Sequence, residues 1–279
     1  MNTSKTLVDE KIIEWSEGKA YYLFCICPVS SELLLAVKEN KKHSLWQYKD
    51  IIAVLSPISV EEFAEFMAEE NMQDIAWVAP YACRHQEIVA QMTHYGPVLP
   101  AGFASLFSSV ESLERLLEEN YDFIWQFFNK VDGKQEWAVK GLIDKTKAIK
   151  FFLSQLLANQ EQKLSALSQG MRYFEEQKLK ASADKALNQW LKKTFSELAQ
   201  KLNCHAYDFY ERRLLSKELI GKDTDMISNW AFLVMQENVD EFRLQINEAN
   251  QTLVDYGLKF ELSGPWPPYS FVPANKVKI

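Results

Sequence analysis

The sequence predicts an α+β protein built as two domains. Two observations carry that prediction. Apolar runs of strand length, bounded by Pro, Ser or Gly, occur on both sides of the Asp132-Gly133 turn, and amphipathic helical periods lie between them. A third observation concerns the end of the chain. The twelve residues Leu262–Pro273 hold four prolines and three aromatic rings. Each proline fixes φ, lacks an N–H and restrains the residue before it, so this run predicts a stiff extended tail rather than a helix or an interior strand.

The elements follow in order. Residues 1–20 are polar and mixed, a lead-in in which Ile12, Ile13 and Trp15 are the docking candidates. Tyr21 to Val29 is a near-continuous apolar run stopped by Pro28 and Ser30-Ser31, and reads as a buried strand. Ile51 to Leu55 is a second strand, ended at Pro57. Ser59 with Glu62 three residues on forms a capping box for a helix with Phe63, Phe66 and Met67 on its apolar face. A longer helix is expected from Ala82 to Tyr95, closed by Gly96-Pro97, and Val98 to Phe107 is extended again. Ser109 caps the next helical block, in which Leu113, Leu116, Leu117, Tyr121, Ile124 and Phe128 recur three and four apart.

The pattern then restarts. Glu136 to Ile143 alternates, with Trp137, Val139 and Ile143 on one face. Leu153, Leu157, Leu164, Leu167, Met171 and Phe174 form a helical stripe with Gln160 as its polar exception. Leu187, Leu191, Phe195, Leu198 and Leu202 continue it beyond a charged interruption at Gln177 to Lys180, which predicts a helical hairpin turning there. Residues 204–215 fit no single pattern. Asn229 to Gln236 is a strand. Val239, Phe242, Ile246, Ala249 and Leu253 make a helix face ended by Gly257, and Lys259 to Ser263 is a last strand with Phe260 and Leu262 inward.

This order suits two ferredoxin-like, split βαβ sheets, the second with an inserted helical hairpin. The expected boundaries are a lead-in at 1–20, a first domain at 21–131, a second at 135–263, and the tail at 264–279.

Composition narrows the function. The chain has 31 Lys and Arg against 38 Asp and Glu, a net charge of −7, and a pI near 5.3. Its overall field opposes nucleic acid, and the Lys38/Lys41/Lys42 and Lys192/Lys193 clusters have no interleaved aromatics. The start, Met1 to Lys5, has no apolar signal core, and no apolar run reaches the roughly 20 residues a bilayer demands. Four cysteines in 279 residues fit a reducing compartment. The expectation is a cytoplasmic protein that inserts in no bilayer.

Reaction chemistry is scarce. Gly133-Lys134 and Gly221-Lys222 lack the rest of a phosphate loop. Cys25 and Cys27 share a strand face, and Cys204-His205 is a second ligand pair, but the spacings match no zinc module, so no metal and no cofactor is expected. Cys83 and His85, two apart on a helix, point to different faces, which argues against a nucleophile and its base. His43 and His94 lie in polar or turn contexts. Paired carboxylates such as Glu61-Glu62 and Glu175-Glu176 read as solvated helix faces. The Leu153–Phe174 stripe serves either its own hairpin or a partner helix.

Several segments together resemble one family, the gas vesicle accessory proteins GvpF/GvpL. Arg84-His85 with Ile88-Val89 resembles the family's Arg-His helix. Val98-Leu99-Pro100 with Phe103 and Phe107 resembles its V-L-P-x-R-F-G-T-x-F strand, with Gly102, Ala104 and Ser105 standing where the family usually has arginine, glycine and threonine. Gly170 with Tyr173-Phe174 resembles its G-x-x-Y-F segment, and Leu262 to Val272 its terminal G-P-W-P-P-Y-x-F-V signature. The resemblance implies a non-enzymatic protein of gas vesicle formation. It implies binding to the hydrophobic shell protein and other gas vesicle accessory proteins during assembly, or a place as a minor vesicle component. Arg84, His85, Trp266, Pro267, Pro268, Tyr269 and Phe271 are the candidate residues for partner binding or for docking the tail, in cis or on a partner. The competing expectation is a small-ligand protein or enzyme using a cleft between the domains.

Overall fold

The computed structural model describes residues 19–273, apart from 41, 42, 69, 71 and 72. The lead-in docking candidates Ile12, Ile13 and Trp15, the lysines 41 and 42, and residues 274–279 lie outside the described residues. The chain divides into two compact units. One holds residues 1–134 together with 266–279, and the other holds 135–265. Helix and sheet are mixed in both, and each contains one antiparallel sheet.

The first unit opens with β1 (Ala20–Pro28), followed by α1 (Ser31–Asn40), β2 (Ser44–Tyr48), β3 (Ile51–Ile58), α2 (Val60–Met67) and α3 (Ile75–Met92). Two short strands, β4 (Leu99–Pro100) and β5 (Leu106–Phe107), precede α4 (Val110–Glu119) and α5 (Tyr121–Val131). The sheet order is β2-β3-β1-β4, with β5 also on β1. β1 is central, which is why its whole run is apolar. Its register with β3 shifts between Leu23 and Cys25, so Phe24 and Cys25 both enter the core that holds Tyr22, Cys27, Ile52 and Val54. Ile88, Val89 and Met92 of α3 pack on that face. The capping box at α2 is present. Ser59 Oγ accepts from the Glu62 N–H at 3.1 Å, and the Glu62 carboxylate accepts from the Ser59 N–H at 2.9 Å.

Three readings of this unit are corrected. Helix α3 begins at Ile75, capped by Asp74, and Pro80 lies inside it. A proline this near the helix start removes only one backbone bond, so the turn before it survives. Residues 98–107 are not one strand, because a turn held by the Ser105 N–H and hydroxyl on the Gly102 carbonyl separates β4 from β5. The amphipathic block after Ser109 is two helices, broken at Asn120, whose side-chain amide donates to the Leu116 carbonyl at 2.8 Å.

The second unit carries most of β6 (Lys134–Ile143), then α6 (Lys145–Asn159), α7 (Glu161–Ser165), the 35-residue α8 (Gln169–Asn203), β7 (Ala206–Glu211), α9 (Lys217–Ile220), β8 (Asp225–Met235), α10 (Val239–Leu253) and β9 (Leu258–Trp266). Its sheet order is β7-β8-β6-β9. Trp137, Val139 and Ile143 of β6 share a core with Trp230, Phe232 and Val234 of β8, with Leu187, Leu198 and Leu202 of α8, and with Phe242 and Ile246 of α10. Inside this unit, Glu136, 1% exposed, pairs with Arg212.

The helical hairpin turns elsewhere than expected. Residues 177–180 lie inside α8, and the chain reverses across 160–168. The charges at Lys178 and Lys180 belong to an exposed face, not a loop. Met171, Tyr173 and Phe174 accordingly fall on α8 and are exposed, rather than continuing a buried stripe from Leu153.

Candidate functional site

Three of the four segments singled out in the sequence contribute residues to one place in the first unit, whereas Gly170, Tyr173 and Phe174 lie on α8 in the second. Its foundation is β1, where Tyr22 and Phe24 direct their rings to the α3 side of the sheet. Helix α3 brings His85 over them, 4% exposed, with ring centroids 5.6 Å from Tyr22 and 5.7 Å from Phe24. The 101–105 turn adds Phe103, 6.2 Å from His85, and the tail adds Tyr269, also 6.2 Å away.

The polar atoms inside this aromatic cluster form a hydrogen-bonded chain. The Ala104 N–H donates to Tyr22 Oη at 3.1 Å. Tyr22 Oη in turn shares a hydrogen bond with His85 Nδ1 at 2.8 Å. The imidazole also interacts with the Ala101 backbone, which favours the charged ring. Burial pushes the His85 pKa down to about 4, against the opposing pull of the Ala101 backbone. Burial likewise pushes Tyr22 up to about 12, opposed by the Ala104 N–H. At neutral pH both groups are uncharged. They tie β1, α3 and the 101–105 turn together and are poorly suited to moving protons.

Ala104 sits at φ 63°. This is left-handed backbone that favours glycine, and the family pattern has glycine at this position. The turn is therefore adopted here at a steric cost, and its Ala104 N–H is what reaches Tyr22.

The tail is built in three steps. Gly264 to Trp266 continue β9, an edge strand, where proline is tolerated. Gly264, at φ 143°, passes so close to β6 that a Cβ would stand 2.9 Å from the Glu136 carbonyl and 3.0 Å from the Trp137 ring. Pro267 and Pro268 are buried, and Tyr269–Phe271 wind into a 3-10 turn, with the Tyr269 N–H on the Pro267 carbonyl at 2.7 Å. The expectation of an extended tail from 264 onward is corrected here. Strand geometry ends at Trp266, Pro268 turns to ψ 50°, and backbone bonds then close a turn. Tyr269 packs against the first-unit core, and Phe271 is 5% exposed with the Lys130 ammonium 5.5 Å over its ring.

The candidate residues thus separate. His85, Pro267, Pro268, Tyr269 and Phe271 are drawn into the first unit, whereas Arg84 and Trp266 are exposed. Cys83 is also exposed and on a different face from His85. Sequence reasoning missed Tyr22, the residue that organises the cluster. Its only signal was its place in an apolar strand, where a tyrosine hydroxyl needs a partner. Cys25 and Cys27 are buried with their sulfurs 3.9 Å apart, and burial pushes the Cys25 thiol well up. Among the described residues, no three His, Cys, Asp or Glu side chains gather as a metal site, and no helix is long and apolar enough to cross a membrane.

The fold and this cluster define an α+β protein whose distinctive segments serve as joints in its own core. The family model for gas vesicle synthesis protein GvpL/GvpF matches residues 20–273, and the chain belongs to this family. Gas vesicle protein L of Streptomyces sp. (strain CB03234) is 24% identical over 235 residues, covering 81% of this chain and 82% of that protein. Gas vesicle protein L1 of Halobacterium salinarum is 25% identical over 214 residues, 72% of this chain and 73% of that one. The crystal structure of GvpF from Microcystis aeruginosa aligns with a TM-score of 0.61 at 18% identity, covering 90% of this chain and 98% of the other. GvpF from Anabaena sp. PCC7120 gives 0.64 at 19%, covering 91% and 98%. The likeness in fold thus extends to the F branch and the likeness in sequence to the L branch. Family membership gives the chain a role in gas vesicle formation.

Proposed function

We propose that the chain acts by binding rather than by turnover, as a non-enzymatic accessory protein. It holds the hydrophobic shell protein, and other gas vesicle accessory proteins, in the cytoplasm during assembly, or stays as a minor component on the vesicle. Family membership is the observation that carries this reading. The buried, neutral state of His85 supports it, since the residue best placed by sequence for chemistry is spent on structure.

A shell subunit that excludes water has an apolar face, and such a face aggregates before assembly. An escort can cover it by strand addition at a sheet edge or by taking a helix into a groove. We infer that both sheets are of the split βαβ, ferredoxin-like kind. The strand orders support this, because in each unit the first strand lies between the third and the fourth. Open sheets of this kind leave two edges. In the second unit the β7 edge carries the exposed Tyr207 and Tyr210. Arg84 and Trp266 are the exposed members of the candidate set and belong to the proposed contact surface.

Co-expression of this chain with the shell protein tests the proposal. The expected result is a stable complex that co-purifies and keeps the shell protein in the soluble fraction. A shell protein that aggregates equally with and without this chain, at several salt concentrations, overturns it.

A further inference from the structure

The first unit's sheet ends on a strand that lacks the usual guards of an edge. An edge strand offers unpaired N–H and C=O groups, and proteins blunt it with proline, a bulge, charge or very short length. β4 has two residues and ends at Pro100, and β9 contains Pro265. β7 is bulged between Ala206 and Asp208 and carries Asp208 and Glu211, a like charge that disfavours pairing with its own copy. β2 has none of these devices. Its five residues, Ser44 to Tyr48, pair with β3 in unbroken register and include no proline, glycine or charge. Among the described residues, β2 has a neighbouring strand on one side only.

The register fixes which groups point outward. Lys49 and Asp50 form a two-residue turn, so Tyr48 and Ile51 exchange both backbone bonds. Bonding alternates from there. Trp46 and Ser44 bond to β3, whereas Leu45 and Gln47 turn their N–H and C=O groups away from it. Among the described residues, no backbone bond outside the ladder reaches Leu45 or Gln47. The Gln47 side chain is also one donor short. Its Nε2 gives to the Lys49 carbonyl at 2.8 Å, while Oε1 is buried without a hydrogen-bond partner.

We propose that two copies of this chain pair through β2, antiparallel, about a two-fold axis at Trp46. The occupant follows from the symmetry of the outward groups. Leu45 and Gln47 stand on either side of Trp46, so the axis sets Leu45 of each copy against Gln47 of the other, and the strands exchange four backbone bonds. Trp46 then meets its own counterpart as a non-hydrogen-bonded pair, in which side chains approach closest, and Ser44 meets Tyr48 on the same face. No charged residue lies among the paired five, so the axis brings no like charges into opposition. The contact is isologous and closes at two copies, the first-unit sheet of one continuing into that of the other. It uses neither β7 nor Arg84 nor Trp266. It is independent of shell-protein binding, and its test omits that protein.

Sedimentation velocity on the full chain decides it. Wild type is expected to pass from monomer to dimer as concentration rises, and to stop there. Gln47→Pro removes an N–H that the β2–β3 ladder does not use, so the fold is spared, and unchanged melting checks this. The substitution deletes two of the four bonds in the dimer and is expected to weaken association by about tenfold or more. A second measurement reads the register. In a Cys83→Ser, Cys204→Ser background, Ser44→Cys and Tyr48→Cys proteins are mixed one to one and oxidised. The axis places positions 44 and 48 opposite each other, within reach of a disulfide. A covalent pair is expected from the mixture and none from either protein alone. A wild type that is monomeric at every concentration overturns the proposal. So does association undiminished in a folded Gln47→Pro, a mixture that gives no covalent pair, or one that links no better than either protein alone.

Discussion

Replacing His85 separates a structural histidine from a reactive one. In the folded chain, burial holds its pKa near 4, against an ordinary value of 6.5. Between those values the unfolded chain binds a proton that the folded chain refuses. Stability from this residue is therefore complete above pH 6.5, falls as pH drops toward 4, and is lost below that. A gap of about 2.5 pK units at about 1.4 kcal/mol each gives roughly 3 kcal/mol across the window. Burial of the ring among Tyr22, Phe24 and Phe103 is the origin of the resistance. The assay is the pH dependence of the unfolding free energy for wild type and His85→Gln. Subtracting the two curves cancels the carboxylates and the other three histidines. The expected difference is a rise of wild-type stability relative to the variant of about 3 kcal/mol from pH 4 to pH 6.5. Parallel curves, or an imidazole resonance for His85 that titrates near 6.5, refute the reasoning.

Three further outcomes follow from the packing. Phe271→Ala is expected to cost about 3–5 kcal/mol in urea unfolding, because a nearly buried ring and its contact with Lys130 are both lost. Ala104→Gly is expected to raise stability by about 0.5–1 kcal/mol, since it relieves an L-residue at φ 63° by more than the added freedom of the unfolded chain costs. Gly141→Ala is expected to lower the melting temperature, with a loss of about 1–3 kcal/mol, because the new Cβ would stand 2.4 Å from Ser228 Oγ and 2.8 Å from the Phe195 ring.

What could be read in advance depended on how local its cause was. The Ser59–Glu62 capping box lies within four residues, and its hydrogen bonds are in place. The β1 run announced its burial because a central strand is apolar on both faces. Helix α1 and strand β2 went unread. Strand β2 is an edge strand, half-buried throughout, so neither alternation nor a continuous apolar run marks it. The hairpin turn was misplaced because a charged stretch on a solvated helix face has the same composition as a loop. At the candidate site, Arg84-His85 and the tail were legible as unusual residues. The link from the Ala104 amide through Tyr22 to His85 was not, because it joins positions 63 and 82 residues apart that only the sheet brings together.

The return of residues 266–273 to the unit that begins the chain has a consequence for biosynthesis. As the polypeptide leaves the ribosome, β1 and α3 emerge long before Tyr269 and Phe271. The contacts that Tyr269 and Phe271 make in the earlier-made unit cannot form until all of 135–265 has been translated. The unit that appears first is thus completed by the residues that leave the ribosome among the last.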